Sequence, residues 1–308
     1  MKRDFLKLSD LTAVEIEGIW KRAREYKEGR VQDLPLEGKN IGLLFEKPST
    51  RTRLSFEVAV VQTGGYPVFI SSRDTQMARH EPLKDTARVL SRYLNGLVVR
   101  TFAQQTLEEL AQYSTIPVIN ALSDLFHPAQ ILSDLFTIWE RKDSLEGIKI
   151  AWLGDGNNVA HSWIEAAALF PFNLVLACPE GFAPNAEIFN RAGREAGKRI
   201  VLTRDPVEAV REALVINTDV WASMGQEDQA AERIKFFQPF QLGEKLLSLA
   251  DPECLVMHCL PAHRGEEITD EVLEGPNSVV FDQAENKLHV HKALLEFIIE
   301  GREDFGAA

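Results

Sequence analysis

The sequence has little cysteine, no long apolar run and no excess of positive charge. Its 308 residues include three cysteines, Cys178, Cys254 and Cys259. The odd count and irregular spacing exclude a disulfide framework. Cys178 and Cys254 sit in apolar runs and read as reduced core residues, whereas Cys259 stands in a polar turn. No HExxH or CxxC spacing occurs, so nothing in the pattern marks a structural or catalytic metal. No apolar run is long enough to span a bilayer. The N-terminal MKRDFLKLSD has two early cations but no apolar core, so no secretory signal is expected and the expected compartment is the cytoplasm. A net charge of −12 argues against a general binder of nucleic acid or anionic membrane; a phosphate ligand would need a local cationic island. Repeats and low-complexity segments are absent too. What is present is ordinary for a globular protein: 45% apolar and 26% charged residues, over a length that suits two domains.

One stretch stands out, Phe45 to Glu57, FEKPSTRTRLSFE. The apolar run Ile41 to Phe45 predicts a buried strand that Pro48 stops. Ser49, Thr50, Arg51, Thr52 and Arg53 follow, and the apolar spacing Leu54, Val58, Val61 predicts a helix at once. A strand, a polar turn and a helix N-terminus make an anion site: backbone N–H groups and the dipole favour negative charge, and hydroxyls and guanidinium add charge-assisted bonds. A helix cap at Ser49 or Thr50 explains one hydroxyl but not two neighbouring arginines.

Along the chain, Ser9-Asp10 reads as the cap of a first amphipathic helix. Strands are expected at 66–70, 96–100 and 117–120. Ser71 to Glu81 is a polar loop without apolar period. Arg100 ends its strand, where a charge in an α/β sheet faces either a ligand crevice or a surface partner. His127 precedes Pro128, which fits the first position of a helix, and Gln130 lies in that helix's first turn. The first domain is placed at 1–143. The second, 144–308, restarts with a strand at 148–153 and the turn Gly154 to Ala160. That turn resembles a dinucleotide fingerprint, but Val159 stands where the third small residue belongs. Glu180 could imitate the ribose acid, and Asn158 is a ligand donor or an N-cap. A strand ending at Asn217 feeds Asp219, Ser223, Met224 and Gly225, a loop suited to an ammonium group with Asp219 as counter-ion, or else an Asx turn with Trp221 in the core. The strand 254–257 delivers His258 to Gly265. A last strand is expected at 279–281 and a terminal helix over 284–299. The alternation predicts an α/β protein of two doubly wound parallel sheets.

Four motifs in order, STRTR (49–53), HPAQ (127–130), DVWASMG (219–225) and HCLP (258–261), resemble the aspartate/ornithine carbamoyltransferase (transcarbamoylase) family, and the last two resemble its ornithine branch. The resemblance covers nearly the whole chain. It implies a carbamoyl-phosphate domain, an ornithine domain, a terminal helix (about 285–301) returning to the first domain, and an assembly of homotrimers with shared active sites. It implies transfer of a carbamoyl group from carbamoyl phosphate to the δ-amine of L-ornithine, with no metal or organic cofactor, and substrates aligned across an interdomain cleft. Residue by residue, Ser49, Thr50, Arg51 and Thr52 would hold phosphate. Arg100, His127 and Gln130 would reach the phosphate or carbamoyl group, and Gln76 would enter from a neighbouring subunit. Asn158, Asp219, Ser223 and Met224 would hold ornithine, while Cys259 and the Leu260 carbonyl would sit where the substrates meet. The catalytic group would be Arg51, Arg100, His127 and Cys259. One position departs: the family's AENR run reads Ala284-Glu285-Asn286-Lys287, which keeps the charge but loses the planar fork. Either Lys287 takes that role or Arg264 does. Two other functions fit less of the pattern: the same scaffold acting on putrescine or an acylated ornithine, and a non-catalytic nucleotide-binding module.

Overall fold

The structure, a computed structural model, describes residues 2–71, 81–222 and 230–301. The chain divides into two compact units, Met1–Phe136 with Glu285–Ala308, and Thr137–Ala284.

The first unit opens with helix α1 (Ala13–Lys27). Its cap is Thr12, in a reciprocal box with Glu15, and not Ser9-Asp10. Asp10 instead accepts from the Leu6 and Lys7 amides at 2.7 and 2.9 Å, closing the turn before the helix. Then follow β1 (Asn40–Phe45), α2 (Arg51–Gln62), β2 (Tyr66–Ser71), α3 (Leu83–Tyr93), β3 (Gly96–Arg100), α4 (Gln104–Tyr113), β4 (Val118–Leu122) and α5 (Pro128–Lys142), which passes into the second unit at Thr137. The strands form one parallel sheet in the order β2-β1-β3-β4. Helix α2 forms where its apolar spacing predicts, and the residues of that spacing lie outward. Leu54, Val58 and Val61 are exposed, and Thr52, Phe56, Ala59 and Val60 are buried. A helix shows apolar residues on two faces when the outer one is also made for contact, so period alone does not say which face meets the core.

The second unit holds β5 (Lys149–Leu153), α6 (Asn158–Leu169), β6 (Asn173–Ala177), α7 (Ala186–Ala196), β7 (Ile200–Thr203), α8 (Pro206–Val210), β8 (Val215–Thr218), α9 (Ala230–Phe237), α10 (Glu244–Leu247), β9 (Leu255–His258) and α11 (Asp270–Leu273). Its strands are parallel in the order β7-β6-β5-β8-β9. The strand expected at 279–281 is absent. Ser278 makes an isolated bridge to Val256, and α12 (Val280–Glu300) starts at once. Three apolar residues suit a strand or a buried helix turn equally, and here Val279 and Val280 are buried as the chain enters a 21-residue helix. From Glu285 on, α12 belongs to the first unit. Gly96 marks how close it lies to β3: a Cβ there would meet Ile299 at 2.2 Å. Arg22 and Tyr26 of α1 both bond the buried Glu296.

Candidate active site

In an open parallel sheet, ligands gather beyond the carboxyl ends of strands, where the order reverses. In the first unit that point lies between β1 and β3. The loop after β1 leads through Glu46 to Thr50 into α2, and the Glu46 amide donates to the Arg100 carbonyl at 2.8 Å. Thr50 is the N-cap of α2, but its hydroxyl makes no capping bond, so the positive pole of the helix carries no side-chain cap. Ser49 and Arg51 are half-buried, Thr50 is exposed and Thr52 is buried. Arg53 turns away, donating to Glu57 at 3.0 Å and lying over the Phe69 ring. Arg51 is thus the arginine left to the loop.

Lys287 reaches this loop from α12. Its Nζ donates to Gln130 Oε1 at 2.7 Å and to Thr52 Oγ1 at 3.1 Å, while Gln130 Nε2 donates to Asp134 at 2.7 Å. Burial, then the charges of Lys287 and Arg100, then His291, hold the His127 pKa well below its usual value. The ring is therefore a neutral imidazole at neutral pH, able to donate a hydrogen bond without carrying charge. Thr52, Arg100, His127, Gln130 and Lys287 thus share one buried neighbourhood with a positive field. Arg264, in the second unit, is exposed and engaged by Asp270 and Glu274. Sequence reasoning missed two residues here. Lys47 is buried, paired with Asp124 and 4.4 Å from the Phe102 centroid. His291 stacks on Phe56 at 3.7 Å and 9°. The first is legible only as one more charge before Pro48, and the second had no signal.

In the second unit the order reverses between β5 and β8. Asn157, not Asn158, caps α6: its Oδ1 accepts from the Val159 and Ala160 amides at 2.9 and 3.1 Å. Its Nδ2 donates to Asp219 Oδ2 at 2.9 Å, so it also orients a candidate binding residue. Asn158 is the first residue of α6 and half-buried. The Asp219 Oδ1 accepts from the Val220 amide at 2.9 Å and from the Cys259 thiol at 3.2 Å. His258 Nδ1 accepts from the Leu260 amide at 2.9 Å, so Nε2 carries the proton and donates to Glu267 at 3.1 Å. Leu260 has φ +57, a conformation uncommon for a non-glycine residue and frequent where function holds a turn. Gln76, Ser223 and Met224 lie outside the described residues.

The dinucleotide likeness of the first turn has a different cause. A Cβ at Gly156 would meet the Pro184 backbone at 2.2 Å, so chain approach demands this glycine. Glu180 pairs with Arg204 at the surface. Among the described residues, two groups bring metal-ligating atoms within 4.8 Å of one another: Asp219 with His258 and Cys259, and His263 with Glu266 and Glu267. In the first, both His258 nitrogens and both Asp219 oxygens are already in hydrogen bonds.

The two units also match known sequence families. Residues 3–140 match the carbamoyl-P binding domain of aspartate/ornithine carbamoyltransferase, and residues 146–298 match its Asp/Orn binding domain. The chain belongs to the aspartate/ornithine carbamoyltransferase family. Relatives named ornithine carbamoyltransferase include one from Geobacter sulfurreducens, 54% identical over 303 residues, covering 97% of this chain and all of the relative. Another, named as anabolic, comes from Pseudomonas aeruginosa: 52% identical over 301 residues, covering 97% of each chain. The solved ornithine carbamoyltransferase of Pyrococcus furiosus superposes with a TM-score of 0.93 at 48% identity, covering 98% of each chain. The fold class expected from the sequence, two parallel-sheet α/β domains, is the observed one.

Proposed function

We propose that the chain transfers the carbamoyl group of carbamoyl phosphate to the δ-amine of L-ornithine, giving L-citrulline and phosphate. The observation that carries this reading is Lys287 bonded to Thr52 and Gln130 in the field that keeps His127 neutral. Phosphate sits at the N-terminus of α2, held by Ser49, Thr50, Arg51 and Thr52, with Lys287 in place of a planar fork. Arg100, His127 and Gln130 address the carbamoyl group. The neutral amine attacks the carbamoyl carbon, and a C–N bond forms as the carbonyl becomes an oxyanion. Collapse of the oxyanion breaks the C–O bond, and phosphate leaves with the electron pair. Donors fixed in advance around the oxyanion and the leaving phosphate lower the barrier, and the uncharged His127 donates without repelling the cations beside it.

Asp219 binds the α-ammonium of ornithine, with Asn158, Ser223 and Met224 beside it. Cys259, whose thiol donates to Asp219, helps place the δ-amine and manage its proton, and the Leu260 carbonyl accepts from the carbamoyl nitrogen. Gln76 acts from a neighbouring subunit of a homotrimer or an assembly of trimers. The exposed Leu54, Val58 and Val61 of α2 and Tyr66, Val68 and Phe69 of β2 support such an assembly. No cofactor is needed. The chain works in the cytoplasm; no helix of the described residues is long and apolar enough to cross a membrane. Relatives named as anabolic support the direction toward citrulline.

Carbamoyl transfer to a panel of ornithine, acetylornithine and putrescine tests the reading. Acetylation removes the charge that Asp219 binds and leaves a carboxylate unpaired, a loss of about 2 kcal/mol or more in a dry site. Ornithine should therefore lead by well over tenfold in kcat/KM. Comparable efficiency on acetylornithine, or a better one on putrescine, overturns the acceptor assignment.

A further inference from the structure

Behind Asp219 lies a set of contacts that the reading above leaves unused. Arg233, on α9, is buried, with its guanidinium 4.6 Å from the Phe182 centroid and 5.0 Å from that of Phe237. Its Nε donates to the Trp221 carbonyl, and its Nη2 donates to the Asp155 carboxylate. Both partners matter by position. Trp221 lies two residues beyond Asp219, in the segment after β8. Asp155 lies two residues before Asn157, in the turn after β5, and that asparagine donates to Asp219. The Asp155 carbonyl in turn accepts from Trp152 Nε1 at 3.0 Å, fixing the turn to its strand. One guanidinium therefore ties together the two segments that meet at Asp219. Its charge has a second effect. Burial pushes the Asp155 carboxyl up, Arg233 pulls it down, and Asp219 pushes it up again. The two carboxylates feel each other, and the guanidinium offsets one of them.

We propose that Arg233 and Asp155 form a positioning pair for the amino-acid site. The pair holds the turn after β5 and the segment after β8 in register, so that Asn157 keeps Asp219 aimed. It also cancels the charge of Asp155, leaving Asp219 as the carboxylate that draws the substrate ammonium. This rests on the assignment of Asp219 to ornithine. A planar fork packed against two touching aromatic rings suits the task, since lysine offers neither the two directed donors nor the planar face.

The test uses the full-length protein as Asp155→Asn, Arg233→Gln and the double variant Asp155→Asn/Arg233→Gln. Both substrates are varied in the steady state, and carbamoyl-phosphate binding measured by calorimetry serves as the folding control. Each single variant should raise the KM for ornithine by about tenfold or more, the scale of one charge-assisted hydrogen bond. Turnover at saturation should change by less than about threefold, and the carbamoyl-phosphate KM by less than about twofold, because the first unit is untouched. The double variant should be no worse than the worse single one, because the two residues act as a unit. An ornithine KM within twofold of wild type in both single variants, with carbamoyl phosphate still bound, makes the pair mere packing and overturns the proposal. Parallel rises in both KM values overturn it as well, since they signal general loosening. A wild-type protein inactive on ornithine takes the proposal down together with the substrate assignment, and it does so before any variant is made.

Discussion

Lys287 is where the sequence left two cations in competition and geometry separates them. Its Nζ is buried and bonded to Thr52 and Gln130, whereas Arg264 is exposed and paired with two carboxylates. Lys287→Ala should raise the KM for carbamoyl phosphate by about ten- to a hundredfold, the worth of one to two charge-assisted bonds, with the ornithine KM unchanged and Arg264→Ala silent. Steady-state kinetics of the two variants decide it; a larger effect from Arg264→Ala reverses the assignment. The same residue should shape the acid limb of activity. Lys287 is one of the charges that hold His127 down, so removing it favours the imidazolium and raises that pKa. In Lys287→Met the fall of kcat/KM for carbamoyl phosphate on acidification should begin at higher pH than in wild type. An unmoved limb would separate His127 from the reaction. At this scale Thr52, Arg100, His127, Gln130 and Lys287, which the structure brings together, were legible because their chemistry is visible in their names. Asn157 was not, because Asn157 and Asn158 are the same residue type and only backbone geometry tells which one caps.

Secondary structure was legible where polar turns, Gly or Pro bound an apolar run: β3 falls at 96–100 as expected, and β2, β4 and β5 lie within one or two residues of 66–70, 117–120 and 148–153. It failed where a short apolar run carries no period, as at 279–281. In helix α2 the spacing gave the element and said nothing of which side is covered. Leu54, Val58 and Val61 announced a helix but lie outward, while Phe56 beneath them stacks on His291. An outward stripe of this kind, next to the exposed Tyr66, Val68 and Phe69, fits a surface that another subunit covers. Leu54→Glu with Val58→Glu should leave the fold intact, since both sites are exposed, and should convert the assembly to monomers in sedimentation. Activity should fall with it, because Gln76 is expected to act from a neighbour. An unchanged sedimentation coefficient would mean that subunits meet through some other face.

For the whole molecule, an acidic chain keeps a cationic interior site, and that contrast sets its response to pH. His127 and His291 are both buried, and both have pKa values held well below the usual one, first by burial and then by Lys287. A group depressed in this way binds a proton in the unfolded chain below about pH 6.5 and none in the native one. Stability must then fall as pH drops through about 6.5, and above that pH these groups contribute no slope. Two such residues give a slope of up to about 2.7 kcal/mol per pH unit, which is large against a total of roughly 5–15 kcal/mol. Carboxylates that are held low enter later. Glu15, held at about 2 mainly by its hydrogen bond from Arg3, supports the fold until pH falls below its unfolded value of about 4.5 and loses that support on the way down to 2. Between pH 6.5 and 5 the histidines drive this loss, with His289, also depressed by burial and by Lys292, as the third, while Asp4 and Asp155, whose carboxyls burial pushes up, act in the opposite sense. Urea unfolding across that interval should show a steep loss of stability. His291→Phe keeps a ring to stack on Phe56 but has nothing to protonate, so it should flatten the slope by about one proton's worth, roughly 1.4 kcal/mol per pH unit. An equal slope in wild type and variant would mean that His291 keeps its proton in the native state, and with it that the field around Lys287 is weaker than a phosphate site requires.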